Sequence, residues 1–159
     1  MISVTLTVNK ANVYNEVAKT TSYTGAKMQG DESAYQRIFT TDDDRMMLER
    51  FWVEACNAAT EQFKPFLTSV SSQPEGRGVE LGSNYVVGLS LSSSFDSTLT
   101  GSIGTSLFSF FVSVIVSKWY KFTNKGEAES YAADALGMME DIMRKIYYRK
   151  KPSRTPIST

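Results

Sequence analysis

The residues best suited to chemistry lie near the end of the chain, where bases and tyrosines are concentrated in one short segment. Cationic side chains can neutralise phosphates or carboxylates, and tyrosine rings can stack on nucleobases or cover apolar surface. The members of this basic segment are Arg144, Lys145, Tyr147, Tyr148, Arg149, Lys150, Lys151 and Arg154. We interpret all of them as candidate partner-binding residues.

Three roles fit the basic segment. It could bind nucleic acid by neutralising phosphates and stacking on bases. It could instead place favourable positive charge at the C-terminal end of a helix, beside a solvated tail. It could also be an arm that docks on a partner, with extended backbone for pairing and basic anchors for acidic groups. The residue types favour the docking arm and leave the other two roles open.

Two prolines define where this arm begins. Pro152 and Pro156 cannot continue a helix or a central strand, and each pushes the residue before it toward extended geometry. We therefore predict a single domain over residues 1–148 and an extended basic C-terminal arm over residues 149–159.

No other group of residues forms a catalytic constellation. The chain has one cysteine and no histidine, which removes the usual general base and any cysteine-based disulfide or metal cluster. Consecutive helical residues point about 100° apart, so Asp42, Asp43 and Asp44 cannot converge on one ion and instead suit the first turn of a helix. The sequence predicts a protein that is not an enzyme and that uses no metal or cofactor.

The charges cancel overall but are unevenly placed, with 17 basic and 17 acidic residues in the whole chain. Acids dominate residues 31–61, and only bases occur from Arg144 onward. Such poles favour head-to-tail contact between copies, unless both are ordinary solvated helix ends. The first residues lack the basic and apolar regions of a signal peptide, so we expect a cytoplasmic protein or an assembly built in the cytoplasm.

Two alternating segments predict strands, at residues 2–8 and 85–91, which could pair into a small sheet. Asn9 is suited to cap a short helix ending near Thr20, which we expect residues 25–30 to break. The Ser- and Gly-rich residues 68–82 predict a loop.

The middle of the chain predicts a short helical turn at Tyr35 and Ile38 and then a long helix. Thr40 or Thr41 is a suitable N-cap, with Asp42 to Asp44 in the first turn. Apolar residues at three- and four-residue spacing continue to Phe63, and we expect the helix to end or kink near Pro65.

Residues 97–117 contain no charge and permit more than one interpretation. Alternation would place several aromatic and valine side chains on one face of a strand, but strands rarely run this long. A helix instead collects a serine stripe, formed by Ser102, Ser106, Ser109, Ser113 and Ser117. A transmembrane span needs about 20 apolar residues, whereas Ser, Thr and Gly fill much of this segment. We favour a buried helix whose small residues let a neighbour approach closely.

The turn Asn124-Lys125-Gly126 and a final helix from Glu127 to Tyr148 complete the pattern. So short a turn makes the last two helices antiparallel neighbours. The residues expected to be buried on the final helix are Tyr131, Ala135, Met138 or Met139, Ile142 and Ile146. The predicted fold class is α+β and mainly helical, with long antiparallel helices, a small β-sheet or hairpin and an extended C-terminal arm.

Several stretches resemble the neck proteins of tailed bacteriophages, which form head-to-tail connector or adaptor rings. The strongest resemblance is to the neck proteins of crAss-like phages. The most similar stretches lie in the C-terminal half, at residues 117–129 (SKWYKFTNKGEAE), 131–135 (YAADA) and 145–152 (KIYYRKKP). Residues 15–20, 39–44 and 48–52 add to the resemblance. The Ser- and Gly-rich residues 81–104 depart from it.

The resemblance implies a structural virion protein, assembled in the host cytoplasm, whose domain is a portal-binding connector domain. It implies a ring of about twelve copies below the portal, with the arm docked on a neighbouring neck or tail ring. DNA would pass through the lumen without being read, and no membrane would be involved. The alternatives are a small nucleic-acid-binding module that acts through its basic tail and, third, a small membrane protein.

Overall fold

The computed structural model describes residues 1–28, 33–71, 84–154 and 157. Within these residues the fold is α+β and mainly helical, as predicted. The strands are β1 (Ile2–Asn9), β2 (Leu67–Val70) and β3 (Asn84–Leu91). The helices are α1 (Lys10–Lys27), α2 (Ala34–Ile38), α3 (Arg45–Phe63), α4 (Thr100–Thr123) and α5 (Lys125–Tyr147). Short 3-10 turns lie at Asp42–Asp44, Lys64–Phe66 and Ser97–Leu99.

The sheet has the order β1-β3-β2, and both pairs of strands are antiparallel. The pairing of β1 with β3 confirms the prediction, and it brings Ile2 opposite Leu91 and Asn9 opposite Asn84. Alternate β1 residues are buried, which matches the two-residue period of the sequence.

Strand β2 corrects part of the predicted loop at residues 68–82. Its backbone pairs with β3 although its side chains are mostly exposed, so hydrophobic pattern could not mark it. A Cβ atom on Gly88 of β3 would lie 2.5 Å from the Ser69 hydroxyl oxygen, so glycine permits the close approach of β2. Residues 72–82 of the predicted loop lie outside the described residues.

Helix α1 begins as predicted but continues further. The Asn9 side chain accepts a hydrogen bond of 2.9 Å from the backbone N–H of Asn12 and so caps the helix. The helix does not end near Thr20 but at Lys27, within the predicted break at residues 25–30, and Gly25 itself lies inside the helix at its crossing with α2. A Cβ atom there would lie 2.7 Å from the Cα atom of Tyr35, so this glycine serves close packing rather than a turn.

Helix α3 ends where predicted but begins later, at Arg45, because Asp42–Asp44 form a separate 3-10 turn instead of its first turn. The Asp44 carboxylate accepts a 2.9 Å hydrogen bond from the backbone N–H of Thr41, in a capping-box arrangement at the start of the Asp42–Asp44 turn. The helix then ends at Phe63, and Pro65 lies in the following 3-10 turn.

Helix α4 lies at the centre of the fold, and its serine stripe faces α5. Ser106 donates to Asp141, Ser113 to the sulfur of Met138, and Ser117 to the carbonyl oxygen of Ala128. In these pairs the residue number increases along α4 while it decreases along α5, so the two helices are antiparallel, as predicted. The turn between them is shorter than expected, because only Asn124 separates the helices and Lys125 and Gly126 belong to α5.

The other side of α4 builds the core with α3 and the sheet. The Phe111 ring lies 5.0 Å from Trp52 and 5.2 Å from Tyr85 between ring centroids. At the far end, Trp119 Nε1 donates a 2.6 Å hydrogen bond to the carbonyl oxygen of Ile38. Residues 97–123 are long and apolar enough to cross a membrane by length and composition. Packing on both sides of this helix supports the buried-helix interpretation.

Helix α5 buries the stripe that the sequence indicated, with two differences. Ala135, Met139, Ile142 and Ile146 are buried. Tyr131 and Met138 are only half-buried, and Ala128 joins the buried stripe near the turn.

Candidate partner-binding surface

The predicted partner-binding residues share one end of the molecule, where α5 terminates. The helix ends at Tyr147 and Tyr148 is its cap, so the helix ends one residue earlier than predicted. Lys145 is half-buried. The exposed members are Arg144, Tyr147, Tyr148, Arg149, Lys150, Lys151 and Arg154.

A groove of about 700 Å³ runs along this end of α5, and we call it the α5 groove. Its lining residues are Gln62, Leu136, Met139, Glu140, Met143, Arg144, Tyr147 and Tyr148. The Tyr147 ring packs edge-on against Phe66 with 5.4 Å between ring centroids, which positions it beside the end of α3. The groove therefore combines an apolar floor with charged groups at its rim.

Five groove residues were not among the predicted partner-binding residues: Gln62, Leu136, Met139, Glu140 and Met143. Leu136 and Met143 follow one another at seven-residue spacing outside the buried stripe, with Tyr147 four residues later. This second apolar stripe was a usable signal, because a helix with one buried face does not require it. Gln62 carries no such signal, since only the tertiary fold brings the end of α3 to the edge of the groove.

Lys145 differs from the other predicted residues because its ammonium group already has partners in the chain. Its Nζ atom lies 2.5 Å from an Asp141 carboxylate oxygen and 2.6 Å from the Ser102 hydroxyl oxygen. The hydrogen bond from Lys145, followed by that from Ser106, lowers the pKa of Asp141. This cluster joins α5 to α4, so Lys145 supports the surface more than it presents charge to a partner.

The arm is fastened to the body at its first two residues. Arg149 lies opposite Phe95 in an isolated antiparallel bridge, and the Lys150 N–H donates a 2.8 Å hydrogen bond to the carbonyl oxygen of Ser94. The Arg149 guanidinium also donates to the carbonyl oxygen of Ile146 at 3.0 Å. The direction in which the arm leaves the helix is therefore set within the chain.

Proline explains why this pairing stops. Successive N–H groups of an extended chain point to opposite sides. Lys150 directs its N–H toward Ser94, and Pro152 would face the same side but has no N–H to donate. In an extended arm, the N–H groups of Lys151 and Ser153 point the other way, away from the body segment that holds Lys150.

Two acids of the predicted acidic pole are paired with bases from other helices. Glu49 forms a buried ion pair with Lys10, at 2.8 Å, and accepts a 2.9 Å hydrogen bond from Tyr14. Burial and then this hydrogen bond raise the pKa of Tyr14. Glu54 pairs with Lys118 at 3.0 Å. The bases come from α1 and α4, so counting charges along residues 31–61 overstated the acidic pole.

Catalysis or metal binding would have to use the thiol and carboxylate groups of the described residues. Burial raises the pKa of the Cys56 thiol to about 12, which keeps it protonated at neutral pH. Within residues 1–28, 33–71, 84–154 and 157, no group of three His, Cys, Asp or Glu side chains is placed to hold a metal ion. Asp44 takes part in the capping box at Thr41, which accounts for one member of the aspartate run.

Comparisons with protein-family models, with curated proteins and with solved structures find no match to this chain.

Proposed function

We propose that this chain is a structural, non-enzymatic protein of a bacteriophage neck, which forms a ring between portal and tail. The observation that carries the proposal is the basic arm, which is anchored through Arg149 and Lys150 and is exposed from Lys151 to Arg154. An anchored root with an exposed continuation suits a segment that reaches a second molecule. The resemblance to neck proteins supplies the kind of assembly.

The proposed partners are further copies of the chain, the portal and a neighbouring neck or tail ring. DNA passes through the ring as cargo, and the protein uses neither a cofactor nor a membrane. Assembly takes place in the host cytoplasm, and the mature location is the virion.

The arm docks as an added strand. Pro152 and Pro156 are an even number of residues apart, so both lack an N–H on the same side of an extended chain. The opposite side keeps the N–H groups of Lys151 and Ser153 for pairing with an unpaired strand edge on the partner. Lys151 and Arg154 add charge-assisted contacts to acidic groups.

Native mass spectrometry and negative-stain imaging test this proposal, using the chain alone and the chain mixed with portal. We expect a closed ring in at least one of the two samples. A chain that remains monomeric in both would overturn the connector function.

A nucleic-acid-binding module is the second candidate, favoured by Tyr147 and Tyr148, which are about half exposed beside the bases. Such a module would lose affinity for DNA steeply as salt rises, because several phosphates are neutralised. Titration with duplex and single-stranded DNA at low and moderate salt separates the candidates. Absence of binding at low salt removes this second function.

A further inference from the structure

The two edges of the sheet, β1 and β2, differ in how they are protected against pairing with another chain. Strand β2 is four residues long, and its pairing with β3 is interrupted by a register shift between Leu67 and Ser69. Strand β1 is eight residues long, pairs with β3 in unbroken register, and contains no proline, glycine or charged residue. Short strands, bulges, prolines and charges are the usual protection of a sheet edge. The edge formed by β1 is therefore the unprotected one.

Hydrogen bonds of β3 show which β1 residues face away from the sheet. The Val86 N–H donates to Ser71 Oγ at 3.1 Å, and the Val86 carbonyl oxygen accepts a 2.9 Å hydrogen bond from the Ser71 N–H, so Val86 faces β2. By alternation Val87 faces β1, where it lies opposite Leu6, and the backbone groups of these two residues face each other. The β1 residues whose N–H and C=O groups then point away from β3 are Ser3, Thr5 and Thr7.

The outer side of β1 carries no strand in the described part of the chain. Among residues 1–28, 33–71, 84–154 and 157, β3 is the only strand paired with β1. The side chains of Ser3, Thr5 and Thr7 are exposed. An extended segment can therefore pair with this edge without displacing a described strand.

The C-terminal arm has the matching pattern of backbone donors. In an extended arm, Lys151 and Ser153 present their N–H groups on one side with two-residue spacing, which is also the spacing of the outward groups of β1. Pro152 lies on the other side and has no N–H, so a docked arm offers a poor edge for any further strand. One arm thus closes one open edge.

We infer that the C-terminal arm of one copy adds to β1 of a second copy, which extends the sheet to the order arm-β1-β3-β2. Arg149 and Lys150 hold the arm to their own chain, whereas Lys151 to Arg154 are exposed and belong to no strand. Each copy carries one arm and one open edge, so the contact is heterologous and repeats around a ring when the rotation permits. The inference rests on the proposed ring-forming function and names the receptor of the arm.

Crosslinking of two full-length variants tests this contact. Thr5→Cys marks the edge and Ser153→Cys marks the arm, and after docking the two side chains lie directly or diagonally opposite, within about 8 Å. The variants are combined while dilute, concentrated together and treated with a short thiol-to-thiol crosslinker, from which Cys56 is shielded by burial. A linked dimer should form in this mixture. It should be absent when Tyr23→Cys, an exposed position on α1, replaces Thr5→Cys.

Two substitutions at Thr5 separate the contribution of its N–H group from that of its side chain. Thr5→Pro removes the outward N–H but leaves the bonds between Leu6 and β3, and an edge strand tolerates proline when its N–H side faces solvent. Thr5→Ala keeps the N–H and is the matched control. Sedimentation velocity should show that Thr5→Pro loses self-association and that Thr5→Ala keeps it.

A charge exchange tests the same contact with every backbone group in place. Thr5→Lys puts a like charge beside Lys151 of the docked arm and should raise the dissociation constant roughly twofold to fivefold. Adding Lys151→Glu to this variant should restore association, because the two charges are then opposite. Both positions are exposed, so melting temperatures should stay close to that of the unmodified chain.

Four results would overturn the inference: a mixture without linked dimer, a Thr5→Cys and Ser153→Cys double variant that links only within one chain, self-association of Thr5→Pro equal to that of Thr5→Ala, or a charge exchange that restores nothing. Rings that form although the mixture stays unlinked leave the connector function standing and reject only this edge. A linked mixture without any ring, alone or with portal, supports the strand exchange and rejects the connector function.

Discussion

Arg149 lies opposite Phe95 in an antiparallel bridge, so the C-terminal arm is fastened to the body at the point where it leaves α5. Phe95 is only 3% exposed, which places the bridge at the border of the core. The arm therefore has two parts with different roles: an anchored root at Arg149 and Lys150, and an exposed continuation from Lys151.

This division predicts different outcomes for two truncations. Removing residues 151–159 should leave the free energy of unfolding nearly unchanged, because Lys151 to Arg154 are exposed. Removing residues 149–159 should lower it by about 1 kcal/mol, since the hydrogen bond from Lys150 to Ser94 is lost. Urea unfolding measures both values, and native mass spectrometry follows assembly, which both truncations should abolish. If the shorter truncation assembles normally, the continuation is a solvated tail.

The positions of the prolines predict which backbone groups the arm uses. Ser153→Pro should abolish docking, because it removes an N–H from the side that faces the partner. Arg154→Pro should weaken docking no more than Arg154→Ala. In an extended arm the N–H of residue 154 lies on the same side as Pro152 and Pro156, which have no N–H, so it does not face the partner. Ser153→Ala controls for loss of the hydroxyl group. Ring yield in the presence of portal is the measurement, and equal yields for the two proline variants would contradict strand addition.

Charged substitutions on the buried and on the exposed face of α5 should change the free energy of unfolding by different amounts. Ile142→Asp should lower the free energy of unfolding by about 3–5 kcal/mol, because Ile142 is fully buried and the carboxylate would be unpaired. Met139→Asp should act in the same direction. Leu136→Asp is the matched control on the same helix and should change stability by less than about 0.5 kcal/mol. Thermal melting compares the three, and similar losses at Ile142 and Leu136 would argue against the assigned faces.

The Asp141 cluster predicts a loss of stability in acid. The hydrogen bond from Lys145 lowers the pKa of Asp141 below its usual value of 3.8, so the folded state binds its proton less readily than the unfolded state. The resulting stabilisation is fully present well above 3.8 and is lost as the pH falls through the lower folded pKa. Solvent weakens the effect, because the Asp141 side chain is 41% exposed.

Asp141→Asn tests this linkage. The variant should lose part of the difference in urea midpoint between neutral and strongly acidic pH, while Glu140→Gln on the neighbouring exposed position should keep it. An unchanged pH dependence in Asp141→Asn would show that the cluster contributes little to stability in solution.

Local sequence patterns were sufficient to predict those elements whose signals lie within a few neighbouring residues. Strand β1 follows from strict alternation. The start of α1 follows from Asn9, and the start of the 3-10 turn before α3 follows from Thr41. Helix α4 follows from the spacing of its serines. Pro152 likewise predicts the position of the extended arm, because the lack of a backbone N–H is a property of proline itself. Each of these signals acts through neighbouring backbone groups, so these features could be predicted from local sequence alone.

Contacts between distant segments decided the rest. Gly25 is a packing position only because Tyr35 crosses it, and β2 is a strand only because β3 offers it a hydrogen-bonding edge. The charge of Glu49 is not presented at the surface, because the Lys10 side chain of α1 forms an ion pair with it. The α5 groove exists because the end of α3 brings Gln62 and Phe66 beside α5. These features depend on free energies of close approach, burial and charge pairing, which exist only once the chain has brought distant residues together.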